Sequence, residues 1–377
     1  MADDDDQFRE QVRAALAGIV LPHADRWESD GKIDRQGWQA LGDSGLLGLA
    51  HTGPEFWRSA VLLDELGRTG YAGIRAAIGV HSYMARSYLE LFGNDEQQAA
   101  YLPAGRQGQR IAALAITEEN AGSDLRSLST RAELGADGSY LVTGTKCYVT
   151  NGSAADFFVT LVRTGTPAAG QSSPASKVLS QASLVLIEAG LPGVIRQEQP
   201  LLGWRGADVC TVRFSAVPVP ASRLLGRPGQ ALVQLMQALD FERLIAGLLA
   251  VGGIGYCLEL LRAFIRDHRI GDAPMSAKQA VRQQVAELDA DFELVRQYAL
   301  HAVRQQCRGR LDTRTATILK LKSTELAVQA AQQCLTCHGG RGYRRDSAVS
   351  RLYRDAIGGT IAGGVGELMR DLIYELG

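Results

Sequence analysis

One segment of this chain carries cysteine and histidine at a spacing that could attach haem or bind a metal ion. Cys334 to His338 reads Cys-Leu-Thr-Cys-His, which fits the C-x-x-C-H pattern of covalent haem attachment. Such attachment normally follows export, and Met1 to Asp6 has neither the basic residues nor the apolar core of an export signal. A structural zinc site would need a second Cys or His pair, which the sequence lacks. We therefore expect reduced helical cysteines, with no haem and no metal.

Other segments contain serine or glycine in patterns typical of a nucleophile or of a phosphate-binding loop. Gly42-Asp43-Ser44-Gly45 has the form of a serine-protease nucleophile segment, but it ends an amphipathic pattern, which favours a helix-ending turn. The glycine pairs Gly252-Gly253, Gly358-Gly359 and Gly363-Gly364 lack the Lys-Ser or Lys-Thr that completes a phosphate loop. None of these segments predicts a catalytic site by itself.

Composition and charge limit the kinds of partner. The chain has 377 residues, of which 46% are hydrophobic and 21% charged, as in an ordinary folded protein. Its net charge of −1 provides no overall field for nucleic acid or an anionic membrane. The most apolar stretch, Leu244 to Cys257, is shorter than the roughly 18 residues of a membrane span, which predicts a buried helix. Six cysteines without an export signal favour the reducing cytoplasm.

Helical and strand patterns divide the chain into three parts. Apolar residues recur at helical spacing from Phe8 to Ile111, a region that Pro103 is expected to close. Short β-rich runs with Asp-Gly and Asn-Gly turns follow, and a Gly-, Ser- and Pro-rich stretch at Thr164 to Gln181 predicts a mobile connection. Helical periodicity returns near Gln230. We predict an α+β protein, mostly α, with a helical domain at residues 1–112, a small β domain at 113–226 and a helical bundle at 227–377.

A further set of short segments runs in order along the whole chain. They are Gly45 to Leu49, Tyr101 to Pro103, Ile116 to Glu118, Ala121 to Asp124, Thr145 to Gly152, Leu202 to Gly206, Val219-Pro220, Leu225-Gly226, Gly339 to Tyr343 and Arg351 to Ala356. Together they resemble the flavin-dependent acyl-CoA dehydrogenases. The resemblance implies a middle β-barrel or sandwich, a C-terminal four-helix bundle, and FAD between these two domains. It also implies a homo-oligomer, a tetramer or a dimer, in which a neighbouring subunit covers the adenine end of FAD.

The same resemblance assigns cofactor contacts to residues of this chain. The positions that match contacts to the isoalloxazine ring or the pyrophosphate are Thr117, Ser123, Tyr148 and Thr150. Ser123 is also expected to contact substrate. The positions that match the segment near a neighbour's adenine are Gly339, Gly340 and Gly342, where missing side chains let the backbone approach. The arginine that contacts a neighbour's flavin falls on either Arg266 or Arg269.

The position of the usual base departs from the family pattern. Counting from Tyr353, the usual glutamate falls on Gly363, so a carboxylate that could take the α-proton is missing there. A minority of the family places its base in the helix that opens the C-terminal domain, and Asp240 to Leu244 match that segment. We therefore predict Glu242 as the base, in an apolar pocket facing the flavin and with a raised pKa. Arg243 is expected against the acyl group or the carrier's phosphate, and a solvated Glu-Arg pair is the alternative.

These observations lead to three functional hypotheses. The first is FAD-dependent α,β-dehydrogenation of an acyl thioester of CoA or of an acyl or peptidyl carrier protein, with backbone N–H groups at Gly363 and Gly364 holding the thioester carbonyl. The second is a flavin-dependent N-hydroxylase or monooxygenase of the same fold, which needs no α-proton base. The third is a non-catalytic partner subunit. Departures such as Glu119 for the usual proline and Thr336 for the usual glutamine indicate a specialised branch. The electron acceptor and the acyl chain stay open.

Overall fold

The computed structural model describes residues 2–164 and 180–377, so most of the connection expected at Thr164 to Gln181 lies outside the described residues. The first third is helical, as the periodicity predicts. Its helices are α1 (Ala2–Ile19), α2 (Ala24–Asp30), α3 (Arg35–Asp43), α4 (Phe56–Arg68), α5 (Ala72–Gly79), α6 (Arg86–Phe92) and α7 (Asp95–Arg106). A π-helical stretch, Val80–Ala85, joins α5 to α6 without a break.

The helix ends in this region follow the local sequence. Gly93 ends α6, and Asn94 begins α7 with a capping box, in which its side chain accepts from the Gln97 N–H while Gln97 accepts from the Asn94 N–H. Pro103 was expected to close the region, but it lies inside α7, which continues to Arg106. The first helix, α1, begins at Ala2 and so includes the acidic run Asp3 to Asp6.

The middle of the chain forms the expected β domain. Its strands are β1 (Ala112–Ala115), β2 (Arg131–Leu134), β3 (Ser139–Val149), β4 (Phe157–Arg163), β5 (Ala182–Glu188), β6 (Val194–Glu198), β7 (Cys210–Pro220) and β8 (Leu224–Leu225). Among the described residues they form one mixed sheet in the order β6-β7-β3-β2-β4-β5-β8, and β1 pairs with β4 in parallel.

The C-terminal third is the expected helical bundle. Its helices are α8 (Ala231–Asp267), α9 (Gln279–Cys307), α10 (Thr313–His338), α11 (Ala348–Ile361) and α12 (Gly366–Glu375). A two-stranded hairpin of β9 (Arg269–Ile270) and β10 (Ala273–Pro274) follows α8. The Cys334 to His338 segment is the last turn of α10, so its cysteines are helical as predicted. All six cysteines are free thiols.

Helix α8 packs into the cores of all three parts. Its first buried residues, such as Leu235 and Ala238, pack with the β domain, and residues around Leu244 pack with the N-terminal helices. Further along, Leu258 packs with α9 and α10. By length and composition α8 could cross a membrane, but 78% of its most apolar window is buried inside the protein. This burial fits the buried core helix predicted from the sequence.

Two glycines allow α8 to cross α4 at close range. A Cβ on Gly67 would lie 2.6 Å from the carbonyl oxygen of Leu249 and 2.7 Å from the Cα of Gly252. A Cβ on Gly252 would clash with the carbonyl oxygen of Asp64. Backbone therefore meets backbone at this crossing, which fixes the rotation of α8 about its own axis.

Two of the segments that carry the resemblance meet where the β domain contacts α11. The N–H of Trp204 donates to Oδ1 of Asp355, and its indole N–H donates to the Asp355 carbonyl, both at 2.8 Å. A Cβ on Gly203 would lie 2.5 Å from the same carboxylate oxygen. The Gly203-Trp204 turn and Asp355 thus fix the β domain against the bundle.

A buried histidine joins the N-terminal helices to the β domain. The N–H of Ala112 donates to His81 Nδ1, and His81 Nε2 lies 3.0 Å from the carbonyl oxygen of Gly105. Because Nδ1 accepts, the proton is on Nε2 and the ring is neutral. Burial, together with the positive charge of Arg86, lowers the pKa of His81 to about 3.

We expect His81 to make folding stability depend on pH. The unfolded chain binds a proton at this histidine below about pH 6.5 and the folded chain does not, so stability falls as the pH drops from about 6.5 toward 3. His81→Gln should lower the free energy of unfolding by about 1–3 kcal/mol at pH 8, because buried backbone groups lose their partner. It should also reduce the loss of stability between pH 8 and pH 5.

Urea unfolding at the two pH values measures both effects. The control is His301→Gln, because His301 is exposed on α9. An equal loss of stability on acidification in wild type and His81→Gln would contradict the assignment.

Candidate functional site

Glu242 lies on α8 where the helix passes between two cores. Phe241 and Leu244 belong to the N-terminal core, while Ala238, one turn earlier, packs with the β domain. All five residues from Phe241 to Ile245 are buried, so this turn of α8 has no solvent-facing side toward which the carboxylate could turn. Glu242 is only 7% exposed.

One hydrogen bond reaches the Glu242 carboxylate within the described part of the chain. The hydroxyl of Tyr88, on α6, donates to Oε1 at 2.8 Å. Burial raises the pKa of Glu242 to about 7, although the Tyr88 hydrogen bond and the charge of Arg243 act in the opposite direction. Glu242 therefore has the burial and the raised pKa that the sequence predicts, and the alternative of a solvated Glu-Arg pair does not hold.

Arg243 has partners of its own on α8 and α10. Its Nη1 donates to Asp240 Oδ1 at 3.1 Å and lies 3.5 Å from Thr317 Oγ1. The Thr313 hydroxyl donates to the other oxygen of Asp240 at 2.6 Å. The Nε of Arg243 is buried and has no hydrogen-bond partner among residues 2–164 and 180–377. These bonds fasten the start of α10 to α8 beside Glu242.

The predicted carbonyl-binding loop is tied to the same region. Lys320 of α10 is buried, and its ammonium donates to the carbonyl oxygen of Gly364. Burial and the nearby Arg243 lower the pKa of Lys320 to about 8. Gly363 has φ +69, and a Cβ there would meet open space. Lys320 thus links the Gly363-Gly364 loop to the part of α8 that carries Arg243 and Glu242.

The predicted flavin contacts lie at one end of the β domain. The N–H of Cys147 donates to the carbonyl oxygen of Thr117 at 2.8 Å, so Thr117 lies beside Tyr148. Tyr148 is 62% exposed with φ +56, and its N–H donates to the Gln199 side chain. Thr150 directly follows β3, and Ser123 lies in the exposed loop after Thr117. The structure therefore brings Thr117, Tyr148 and Thr150 together.

These side chains fit an isoalloxazine ring. The hydroxyls of Thr117, Ser123 and Thr150 have no hydrogen-bond partner in the described chain, so they are available to a ligand. The large exposed ring of Tyr148 would gain apolar contact if a planar cofactor covered it. Free hydroxyls beside an uncovered aromatic ring are the kind of surface that binds and orients a flavin.

A buried ion pair shapes the loop that carries Ser123. The ammonium of Lys146, on β3, lies 2.8 Å from Glu118 Oε1. The N–H groups of Ser129 and Thr130, at the far end of the loop, also donate to the Glu118 carboxylate. Burial would raise the pKa of Glu118, but Lys146 and these hydrogen bonds hold it at about 2. Glu118 thus closes the loop at its base.

The remaining predicted contacts lie at the far end of the bundle. The ring of Phe264 stacks on His338 at 3.9 Å, which brings the end of α8 next to the end of α10. The residues at these two ends are Arg266, Arg269, Gly339, Gly340 and Gly342. Both arginines are exposed. At about 1.5 Å per residue, Arg266 lies about 36 Å along α8 from Glu242, so the two cannot contact the same flavin ring in one chain.

Models of the acyl-CoA dehydrogenase N-terminal, middle and C-terminal domains match residues 2–109, 113–217 and 231–376. The mitochondrial long-chain specific acyl-CoA dehydrogenase of Sus scrofa is 30% identical over 380 residues, covering 99% of this chain and 86% of that protein. An acyl-CoA dehydrogenase crystal structure from Geobacillus kaustophilus has a TM-score of 0.92 at 28% identity, covering 100% of this chain and 98% of that one.

A third similarity is to a carrier-protein enzyme. The crystal structure of the prolyl acyl carrier protein oxidase AnaB has a TM-score of 0.89 at 27% identity, covering 99% of this chain and 98% of that one. With all three domains matched, this chain belongs to the acyl-CoA dehydrogenase family. Members of the family use FAD and are oxidoreductases that act on CH–CH bonds.

Several residues of the site were not predicted from the sequence. The sequence assigns no role to Tyr88, Glu118, Lys146 or Lys320. A tyrosine in an apolar stripe is itself a signal, because its buried hydroxyl needs a partner. That signal does not name the partner, which lies on α8 and far away in sequence.

We expect loss of Lys146 to be costly because it leaves the Glu118 carboxylate buried without its cation. Lys146→Met should lower the free energy of unfolding by about 3–5 kcal/mol. Adding Glu118→Gln should recover part of that loss, because no unpaired charge remains. Denaturant titration of the two single variants and the double variant measures the coupling.

The control is Arg131→Met, which breaks the exposed Arg131–Glu133 pair on β2. It should change stability by less than about 1 kcal/mol. Strict additivity in the Glu118–Lys146 cycle would contradict the expected coupling.

Proposed function

We propose that this protein is an FAD-dependent α,β-dehydrogenase of an acyl thioester, with Glu242 as the base that removes the α-proton. The observation that carries the proposal is a carboxylate buried on α8 whose pKa is about 7. A base must be ionised in a fraction of molecules at working pH and still attract a proton, and a pKa near 7 meets both requirements. Gly363, the usual position of the base, offers no carboxylate.

In the proposed reaction, Glu242 removes a proton, the Gly363-Gly364 loop binds the substrate carbonyl, and Lys320 supports that loop. Glu242 takes the α-proton, and the electron pair of the broken C–H bond forms the new carbon–carbon double bond. FAD, when bound, supplies the acceptor for the hydride that leaves the β-carbon. Backbone N–H groups near Gly363 and Gly364 hold the thioester carbonyl oxygen, where negative charge develops. Lys320 keeps that loop in place through the Gly364 carbonyl.

The burial of Arg243 bears on its predicted role. Its guanidinium is inside the protein, bonded to Asp240 and next to α10. A phosphate on a carrier's arm would need an exposed cation, so the position of Arg243 favours the acyl or thioester end of the substrate. There its positive charge also favours the ionised form of Glu242.

Exposed arginines offer a better site for the carrier's phosphate. Four of them lie in or beside the turn between α9 and α10: Arg308 and Arg310 in the turn, Arg304 in the last turn of α9 and Arg314 in the first turn of α10. None of the four side chains has an ion-pair or hydrogen-bond partner in the described residues. The Thr313–Asp240 bond places this turn beside the stretch of α8 that holds Glu242. We propose that these arginines meet the phosphate of a pantetheine arm, which CoA and carrier proteins share.

Flavin bleaching in the holoenzyme tests whether Glu242 is the base of a dehydrogenation. Anaerobic mixing with an acyl thioester should bleach the flavin at a rate that rises through about pH 7, as Glu242 loses its proton. Glu242→Gln should slow the bleaching by about 10²- to 10⁴-fold, because it removes general-base catalysis. The control is Glu259→Gln, an exposed residue on the same helix, which should bleach at the wild-type rate.

Three outcomes would contradict this proposal. Bleaching that persists unchanged in Glu242→Gln would assign the proton to another base. Flavin reduction that requires NAD(P)H, with oxygen consumed in the presence of an amine, would instead indicate an N-hydroxylase or monooxygenase of the same fold. Protein purified without flavin would favour the non-catalytic partner.

The phosphate proposal predicts a change in KM that depends on the substrate's carrier. Arg310→Gln with Arg314→Gln should raise KM for an acyl-CoA or acyl-carrier-protein thioester by about three- to tenfold, and high salt should reduce the difference. KM for the N-acetylcysteamine thioester, which has no phosphate, should not change. Arg213→Gln, on the exposed face of β7, is the control. An equal rise for both kinds of thioester would contradict phosphate binding.

The assembly and location of the protein stay predictions. The resemblance implies a homotetramer or homodimer, and the exposed arginines and glycines at the far end of the bundle fit a contribution to a neighbour's flavin. Cytoplasmic location follows from the cysteine argument alone. The electron acceptor is not specified by any residue described here.

A further inference from the structure

Among residues 2–164 and 180–377, Tyr88 is the side chain that hydrogen-bonds to the Glu242 carboxylate. Its hydroxyl lies 2.8 Å from Oε1, and the tyrosine is fully buried among Ala85, Leu89 and Phe92. The second carboxylate oxygen, Oε2, accepts no hydrogen bond from residues 2–164 or 180–377. The hydrogen bond thus restrains one carboxylate oxygen and leaves the other available.

The direction of this hydrogen bond follows from the chemistry of the two groups. Burial raises the pKa of Tyr88 well above 10, and the negative charge of Glu242 adds to the effect. The phenol is therefore protonated throughout the working pH range, and it donates to Glu242. When Oε2 takes a proton, Oε1 becomes the carbonyl oxygen of a neutral acid and still accepts from Tyr88, so the orientation survives proton transfer.

We propose that Tyr88 is a positioning residue, which holds Oε1 of Glu242 so that Oε2 receives the α-proton. The inference rests on the proposed role of Glu242 as base. The hydrogen bond has a second effect, because it stabilises the ionised form and offsets part of the burial penalty. Without it Glu242 would be protonated over more of the working pH range.

Other charged groups near this stretch of α8 do not replace Tyr88. They are His51, Arg86, Glu90, Asp240, Arg243 and Lys320. His51 and Arg86 face Glu90, and Lys320 faces the Gly364 carbonyl. Arg243 bonds to Asp240 and acts on Glu242 through charge alone. Tyr88 is thus the donor whose removal changes the Glu242 carboxylate directly.

Tyr83 provides a matched control from the same segment. It is also fully buried, and its ring packs against Phe241, the residue before Glu242. In the part of the chain that the structure describes, its hydroxyl makes no hydrogen bond to Glu242. Tyr83→Phe and Tyr88→Phe therefore remove the same atom from equally buried sites, and only the second removes a bond to Glu242.

The experiment measures the rate of thioester-dependent flavin bleaching against pH in holoenzyme. Because Tyr88→Phe removes a hydrogen bond that favours the ionised carboxylate, it should move the acidic limb of the profile upward by about one pH unit or more. The rate should fall about tenfold below pH 7 and recover partly at pH 9. In Tyr83→Phe the acidic limb of the rate profile should stay at its wild-type pH. Flavin content and thermal unfolding confirm that each variant is folded.

A fluorotyrosine at position 88 tests the same hydrogen bond by strengthening it instead of removing it. The more acidic phenol donates more strongly, so the limb should move downward, and the test remains available if Tyr88→Phe does not fold. A profile that stays at the wild-type position in both Tyr88 variants, or that shifts equally in Tyr83→Phe, would overturn the inference. If Glu242→Gln is inactive while the Tyr88 variants keep the wild-type limb, the base assignment stands and only the role of Tyr88 fails.

Discussion

The burial of helix α8 is the constraint on which the rest of the structure depends. From Phe241 to Gly255 nearly every residue is buried, because the N-terminal helices, the β domain and the other bundle helices all pack against α8. That packing fixes how the three parts of the chain lie relative to one another. It also places any polar group on this stretch in a medium where charge is costly, so Glu242 cannot behave as a surface glutamate.

A comparison of two buried carboxylates, Glu118 and Glu242, shows how the groups that hydrogen-bond to a carboxylate determine its pKa. Glu118 receives an ammonium and two backbone N–H groups, and its pKa is held at about 2. Glu242 receives a single phenol hydroxyl, and its pKa is raised to about 7. The first is permanently charged and can only hold a loop together. The second can gain and lose a proton near neutrality, which is what proton transfer requires.

The fold was largely predictable from the sequence because it depends on local periodicity, whereas the partners within the site were not. The order of helices, sheet and helices follows from the spacing of apolar residues, and Asn94 predicts the start of α7. Pro103 does not end α7 because it lies exposed in the last turn, where a proline removes only one helical hydrogen bond before the helix ends at Arg106. The bonds from Tyr88 to Glu242 and from Lys320 to Gly364 join residues far apart in the chain, and no local pattern encodes them.

The same geometry limits what one chain can do with its cofactor. Glu242 belongs to one group, near the start of α8, while Arg266 and Gly339 belong to another at the far end of that helix, about 36 Å away by helix length. Stacking of Phe264 on His338 holds the end of α8 against the end of α10, and the arginines of this second group are exposed. If both groups contact flavin, as the family resemblance implies, each must serve a different FAD. The far end of one bundle then completes the site of its neighbour, so assembly becomes a condition of cofactor binding.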